Sequence, residues 1–282
     1  MIAAVIPAKN EYDTIGPVLD MVSHLPVGLV IPVINGSVDG TLLQALRFSR
    51  APAKIIYSAQ PLGLDIPRAL GAKVAYDSNA AHVLFIDGDM TGISIRALDN
   101  LLSKTLSAHL DLSLSDCYSQ GPADNTLAEL VLYFRRKLNK KIGLWETIGT
   151  ASPSHGPHMV SRRLMEAIPL IELAVPPVSL ALAAKNRLSV GIGVTLPGPI
   201  LSLSHRSGNH AAAMAKTIIG DCIEAINAFE GKRRHRFLGS REYAGYHCQR
   251  NWQQLDSFFH NRGPVTVIFK KNIKEEGVSF IF

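Results

Sequence analysis

The apolar run Val83–Ile86 ends in Asp87-Gly88-Asp89. Two carboxylates two residues apart at a strand end can converge on one hard divalent cation, Mg2+ or Mn2+, leaving coordination positions for diphosphate oxygens and water. Such a cation acts as a Lewis acid toward a departing diphosphate. Taken alone the motif reads equally well as a plain Asp-Gly turn. Three other apolar runs, however, end in polar, Gly-rich loops of the same kind: Pro7-Ala8-Lys9-Asn10-Glu11, Asn35-Gly36-Ser37-Val38-Asp39-Gly40-Thr41 and Gln60-Pro61-Leu62-Gly63-Leu64-Asp65.

These loops need a scaffold that brings them to one edge. The runs Ile2–Ile6, Gly28–Ile34, Lys54–Tyr57, His82–Ile86 and Leu110–Ser115 read as strands. Between them Thr14–Ser23, Gly40–Ser49, Ile66–Tyr76 and Ser94–Leu106 have helical spacing, with Asp39 and Asp65 placed as N-caps. Alternating β and α units predict a mostly parallel sheet, whose ligands bind beyond the carboxyl ends of the strands. After residue 120 the pattern predicts a helix over Leu127–Lys141, a loop over 149–158, a helix near Ser161–Ile168, strands near 189–195 and 200–204, a long helix from Asn209 to Phe229 and a late strand at Val265–Phe269.

Composition limits the function classes. With 47% hydrophobic and 18% charged residues the chain must build a core, which excludes a disordered or fibrous protein. The 29 basic and 23 acidic residues give +6, of which +5 lies in 232–250 (Lys232, Arg233, Arg234, Arg236, Arg241 and Arg250 against Glu242). A near-neutral remainder argues against nucleic acid; the basic segment suits a local anion or phosphate, a membrane surface, or a solvated helix face. Cys117, Cys222 and Cys248 are far apart and without metal-site spacing, so they read as core residues in a reducing compartment. The start lacks a signal-peptide pattern, and the apolar region 168–184 is broken by Pro169, Glu172, Pro176 and Pro177. The expectation is a cytoplasmic protein, with peripheral membrane contact and a homodimer left open.

IPAKNEYDTIGPVLDMV, INGSVDGT and VLFIDGDM, in that order within residues 1–100, resemble the opening strand-loop-helix, the second-strand loop and the metal-binding D-x-D of family 2-type glycosyltransferases. The resemblance implies the GT-A fold, an α/β, Rossmann-like, mostly parallel sheet flanked by helices, over 1–230, with 231–282 as a C-terminal extension. It implies that Pro7 and Glu11 line a nucleotide pocket, that Asn35 faces base or ribose, and that Asp87 and Asp89 serve ribose and metal-diphosphate, with Asp89 the metal ligand. Where most relatives carry an acidic pair before Gly-Ser, this chain has Ile34-Asn35; an amide still offers both a donor and an acceptor to a base edge. In PLGLDIPRALGAK, Gly63 permits close backbone approach, and Asp65 and Arg68 are candidates for donor hydroxyls or diphosphate, against the simpler roles of N-cap and surface arginine.

GPHMVSRRLMEAIP and LSLSHRSGNHAAAMAKTI resemble segments of glucosyl-3-phosphoglycerate synthases and mannosylglycerate synthase-like enzymes. By that resemblance His205 completes the metal site, and Arg162, Arg163 and Arg206 are candidates for a phosphate or acceptor, only one of the adjacent Arg162 and Arg163 facing the cleft. The carboxylate these relatives carry downstream is missing from LAVPPVSLALAAK; Glu172, His155 and His158 are the nearby substitutes. The implied activity is metal-dependent transfer of a sugar from a nucleoside diphosphate sugar to a small phosphorylated or polyprenyl-phosphate acceptor. Two alternatives remain: a non-catalytic nucleotide-sugar binder, and a nucleotidyltransferase, which would want a Gly-rich loop where Lys9-Asn10-Glu11 stands.

Overall fold

The computed structural model describes residues 1–118, 126–197, 208–270 and 279–281. Strand β1 (Ile2–Ala8) sets the two-layer pattern: Ala3 and Val5 enter one apolar layer, Ala4 and Ile6 the other, as a period of two requires. The chain continues through α1 (Ile15–Ser23), β2 (Leu29–Asn35), α2 (Thr41–Arg47), β3 (Ala53–Ser58), α3 (Ile66–Asp77), β4 (His82–Phe85), α4 (Ile95–Ser107) and β5 (Leu112–Asp116). Next come α5 (Thr126–Lys141), α6 (Trp145–Ile148), β6 (His158–Ser161), α7 (Arg162–Ala167), α8 (Pro176–Lys185), β7 (Val190–Thr195) and α9 (Gly208–Phe229). A short hairpin, β8 (Phe237–Leu238) and β9 (Arg241–Glu242), then leads to α10 (Trp252–Phe259), β10 (Thr266–Lys270) and β11 (Ser279–Ile281).

Nine strands form one sheet in the order β11-β10-β3-β2-β1-β4-β6-β5-β7. Strands β3, β2, β1 and β4 are parallel, with Ala3 opposite Leu29 and Val5 opposite Phe85. Both faces of these strands are covered, which is why they read as unbroken apolar runs. Helix α3 lies flat on one face through Ala69, Gly71, Ala72 and Ala75; a side chain at Gly71 would sit 2.2 Å from Val5. On the other face α4 turns Leu98, Leu101, Leu102 and Thr105 inward, an i, i+3, i+4, i+7 stripe, and Ser94 caps it by accepting from the Ala97 amide.

The predicted α/β architecture is present, and the expected strands and helices within 1–116 lie within two residues of their places. Two elements of the second half depart from expectation. Residues 158–161, read as loop and helix start, form β6, which inserts antiparallel between β4 and β5. Residues 176–185 form α8, because its two prolines occupy the first turn, where no intrahelical amide is lost. The expected strand at 200–204 lies outside the described residues. Cys117 and Cys222 are buried, but Cys248 is exposed, against the expectation of three core thiols.

The segment after residue 230, read from sequence as an extension, completes the same sheet. Strand β10 pairs antiparallel with β3, Val267 opposite Ile56. The 3₁₀ turn Gly245–Gln249 packs against α9, and its end docks on the loop after β3: the Asn251 amide donates to Leu62 O at 2.8 Å. Gly63 makes this contact possible. Its φ is +85°, and a Cβ there would lie 2.2 Å from Gln249 O and 2.7 Å from the Arg250 Cα. Gly63→Ala should therefore cost about 2–4 kcal/mol, combining left-handed strain with a backbone collision. Gly143, at φ +77° with nothing within 4 Å, carries only the strain, so Gly143→Ala should cost about 1–2 kcal/mol. Urea unfolding of the two variants checks the difference.

Candidate active site at the carboxyl edge of the sheet

The connections run to opposite sides of β1, so the crevice between β1 and β4 is a topological switch point, the place where open α/β sheets bind ligands. Asp87-Gly88-Asp89 follows β4 directly into that crevice. The Gly88 amide donates to Pro7 O at 2.8 Å, and a Cβ at Gly88 would come within 3.0 Å of Ala8, so the spacer lets the two strand ends close on each other.

The loops after β1 and β2 are stitched into one surface. Asn10, at φ +56°, donates its amide to Ser37 Oγ at 3.0 Å, and its side-chain oxygen accepts from the Val38 amide at 2.9 Å. The Glu11 amide donates to Thr41 Oγ1 at 2.8 Å, while its carboxylate accepts from Thr14 Oγ1 at 2.7 Å. Asp39 accepts from the Thr41 hydroxyl and from the Thr41 and Tyr12 amides; burial opposes ionisation, but these hydrogen bonds, the hydroxyl's first, hold its carboxyl below the usual range. Pro7 thus lies beside the Asp-Gly-Asp turn, and Glu11 belongs to the joined surface of the first two loops.

Four residues expected to meet a donor are engaged with the protein's own groups. Asn35 spends both ends of its amide on the third loop: Oδ1 accepts from the Leu62 amide at 2.6 Å and Nδ2 donates to Gly63 O at 3.0 Å. Gly63 is closely approached by the backbone of the C-terminal segment. Arg68 is buried, its Nη2 donating to both Asp87 oxygens at 2.7 and 2.9 Å and its Nε to Asp65 Oδ1 at 3.1 Å. Asp65 stands at the N-cap position of α3 with φ +63°, but its side chain caps no amide; it also receives Arg250 Nη2 at 3.1 Å.

The Arg250 side chain is the centre of a charge network. Its other nitrogen contacts reach both oxygens of Asp221 at 2.8 Å, and Asp221 also receives Arg236 at 2.5 Å. Arg236 continues to Glu224 at 2.9 Å, and Glu224 to Arg234, which ends the chain on Glu172. Burial opposes ionisation of Asp221, yet Arg250 and then Arg236 outweigh it and keep the carboxyl below its usual range. The basic segment is divided: Arg236 and Arg250 are buried and Arg234 carries two carboxylates, whereas Lys232, Arg233 and Arg241 are exposed. Asp221, Glu224 and His247 lie close enough to hold a cation, but Arg236 and Arg250 already supply the positive charge there.

Arg162 and Arg163 sit at the wrong edge. Because β6 runs antiparallel to β4, its end meets the beginning of that strand, and the Arg162 amide donates to Ala81 O at 2.7 Å. Arg162 stacks over Tyr76 at 4.3 Å and pairs with Glu166, while Arg163 is 70% exposed beside Asp111. His158, at the start of β6, is at the right edge: it stacks on Phe85 at 4.8 Å, two residues before Asp87. Its Nδ1 and the Nη1 of Arg68 are both buried and have no hydrogen-bond partner among the described residues. Glu172 is committed to Arg234. His205 and Arg206 lie outside the described residues.

Burial, with Arg68 as the second cause, holds the His158 pKa down to about 3; burial and Arg135 do the same for His155. Both imidazoles are neutral in the folded protein. Unfolded, they titrate near 6.5, so between pH 6.5 and about 3 the unfolded chain binds more protons and stability falls as pH falls. Each histidine adds about 1.4 kcal/mol per pH unit to that slope. In urea unfolding at pH 7.5, 6 and 5, His158→Gln should be less sensitive to acid than wild type by that amount. A difference between the two proteins that stays constant with pH would show that His158 is not held neutral.

No protein-family model matches the chain, and no curated protein does. Solved structures do. Glucosyl-3-phosphoglycerate synthase from Mycobacterium tuberculosis in complex with Mn2+ and UDP-glucose superposes with a TM-score of 0.61 at 22% identity, over 83% of this chain and 80% of that one. Another crystal structure of the enzyme gives 0.60 at 20% identity over 89% and 92% of the two chains. A third, with Mn2+, UDP-glucose and phosphoglyceric acid, gives 0.58 at 22% over 79% of each. The chain has the mostly parallel α/β fold of these GT-A glycosyltransferases.

Proposed function

We propose that the protein is a metal-dependent glycosyltransferase that takes a nucleoside diphosphate sugar as donor and a small phosphorylated molecule as acceptor. The observation that carries this reading is the position of Asp87-Gly88-Asp89: at the end of β4, in the switch-point crevice, flanked by the joined loops after β1 and β2. Its support from outside the chain is the shared fold with an enzyme solved with Mn2+, UDP-glucose and phosphoglyceric acid. The polar loops of the edge suit a small phosphorylated acceptor better than a lipid-linked one. No helix of the described residues is long and apolar enough to cross a membrane.

The residues fit a hard divalent cation. Two carboxylates at a partly open edge supply oxygen donors, and Asp87 is 29% exposed despite its bond to Arg68. When bound, Mg2+ or Mn2+ would neutralise negative charge on the donor diphosphate. The contact of Arg68 Nη2 with both oxygens fixes the Asp87 carboxylate and offsets its charge, which suits that side chain to orienting the donor's ribose hydroxyls. Asp89 is then the principal metal ligand, with His205 as its companion by sequence resemblance. Pro7 and Glu11 form the wall for the nucleotide. Asn35, Asp65 and Arg68 hold this wall and the Asp-Gly-Asp turn in register without touching the donor.

Asp89→Asn keeps the shape of the side chain and removes its charge. Calorimetric titration with UDP-, GDP- and ADP-glucose in Mn2+ should find one base preferred by wild type and a loss of at least about tenfold in that affinity in the variant, the equivalent of one charged contact. Circular dichroism should be unchanged. Equal affinities in the two proteins, or binding without turnover across phosphorylated acceptors, would overturn the metal-site assignment or the enzyme assignment respectively.

A further inference from the structure

The buried guanidiniums of this protein fall into two groups. Arg68, Arg236 and Arg250 each face carboxylates. Arg135, on α5, is 1% exposed, and it has no ion-pair partner among the described residues. A buried charge without a counter-charge is among the most costly things a core can contain. Among the described residues it makes one hydrogen bond, from Nη2 to Ser154 Oγ at 3.2 Å, and its buried Nε has no partner there.

The surroundings of Arg135 are built from polar groups that can donate. Ser154 exchanges a hydrogen bond with Ser152 at 2.9 Å. His155, next in the chain, packs against Tyr118 at 5.1 Å, and Arg135 lies over the same ring at 5.7 Å. The Nε2 of His155 is buried and, like Arg135 Nε, makes no hydrogen bond. Among the described residues, two nitrogens without hydrogen-bond partners, two hydroxyls and one positive charge without an ion-pair partner are thus gathered between the end of β5 and the loop that leads into β6. Through β6 this loop enters the sheet beside β4, so the cluster belongs to the same carboxyl edge as Asp87.

We propose that Arg135, Ser152, Ser154 and His155 form a receptor for a phosphoryl oxyanion. Arg135 supplies the charge and a fixed fork of N–H donors, and the hydroxyls and the neutral imidazole supply donors from other directions, which a tetrahedral group with several oxygens can use together. The identity of the molecule that carries the phosphoryl group rests on the transferase reading: it is the acceptor. The receptor itself does not depend on that reading.

The test is made on metal-free, nucleotide-free protein, so its outcome is independent of sugar transfer. Melting temperature is followed against inorganic phosphate and against glycerol phosphate, with chloride at matched ionic strength as control. Wild type should show a saturable rise, about 5 °C at a hundredfold excess over Kd. Arg135→Met, which fills the same space without charge, should melt no lower than wild type in chloride and lose the phosphate response; His155→Gln should weaken that response with little change in chloride. A larger response to the ester than to the free ion assigns the receptor to a phosphorylated small molecule, and equal responses assign it to the phosphoryl group alone. A wild-type protein indifferent to both, a response preserved in Arg135→Met, or an Arg135→Met protein that is destabilised while wild type ignores phosphate, overturns the proposal.

Discussion

A guanidinium taken out of water must be matched in charge and in hydrogen bonds, and Arg250 meets that requirement in two directions at once. One side of its fork closes on Asp221 of α9, the other on Asp65 at the start of α3. From Asp65 the alternation of charge passes through Arg68 to Asp87; from Asp221 it passes through Arg236, Glu224 and Arg234 to Glu172. Replacing the whole chain of ions by apolar side chains would not necessarily weaken the fold, but removing one member strands a charge, at a cost of about 3–5 kcal/mol. The network therefore acts mainly as a specification. It fixes which loop meets which helix, and it sets the Asp87 carboxylate at one place in the crevice.

How much of this was legible in the sequence depends on the range of each interaction. The strands of the first half are buried on both faces, so their apolar runs stand out, and Asp87 and Asp89 follow from local spacing. The role of Arg68 does not, because its partner is 19 residues away, and the partner of Arg250 is 185 residues away. The sequence displays the positive excess of 232–250 but not that Asp221 and Glu224, one turn apart on α9, face it. One missed strand accounts for the misplacement of Arg162 and Arg163. With β6 unrecognised, the Arg-Arg helix reads as facing the ligand cleft; with β6 present and antiparallel, it begins at the opposite edge. Arg135 left no signal at all, since a basic residue on a charged helix looks solvated until its neighbours are known.

The site combines two kinds of support. The loops after β1 and β2 hold each other by short polar contacts at the surface, whereas the third loop and the Asp-Gly-Asp turn are held from beneath by buried charge. His158 belongs to the second kind: neutral, stacked on Phe85, and next to a guanidinium that suppresses its protonation. Rigid support under a polar rim is what a site needs in order to hold reacting groups in a fixed arrangement while still admitting ligands from solvent.

The docking of the 245–251 segment on the loop after β3 also has a consequence for the order in which the protein is made. A ribosome delivers β1 to β4 early, and neighbouring parallel strands can pair as they emerge. The second counter-charge for Asp221 and the second partner of Asp65 arrive only when Arg250 leaves the exit tunnel, and β10, which covers the otherwise open edge of β3, comes later still. A nascent chain that has not yet released residues 250–270 therefore carries an unfinished charge centre and an uncovered strand edge, marks on which quality-control proteases can act.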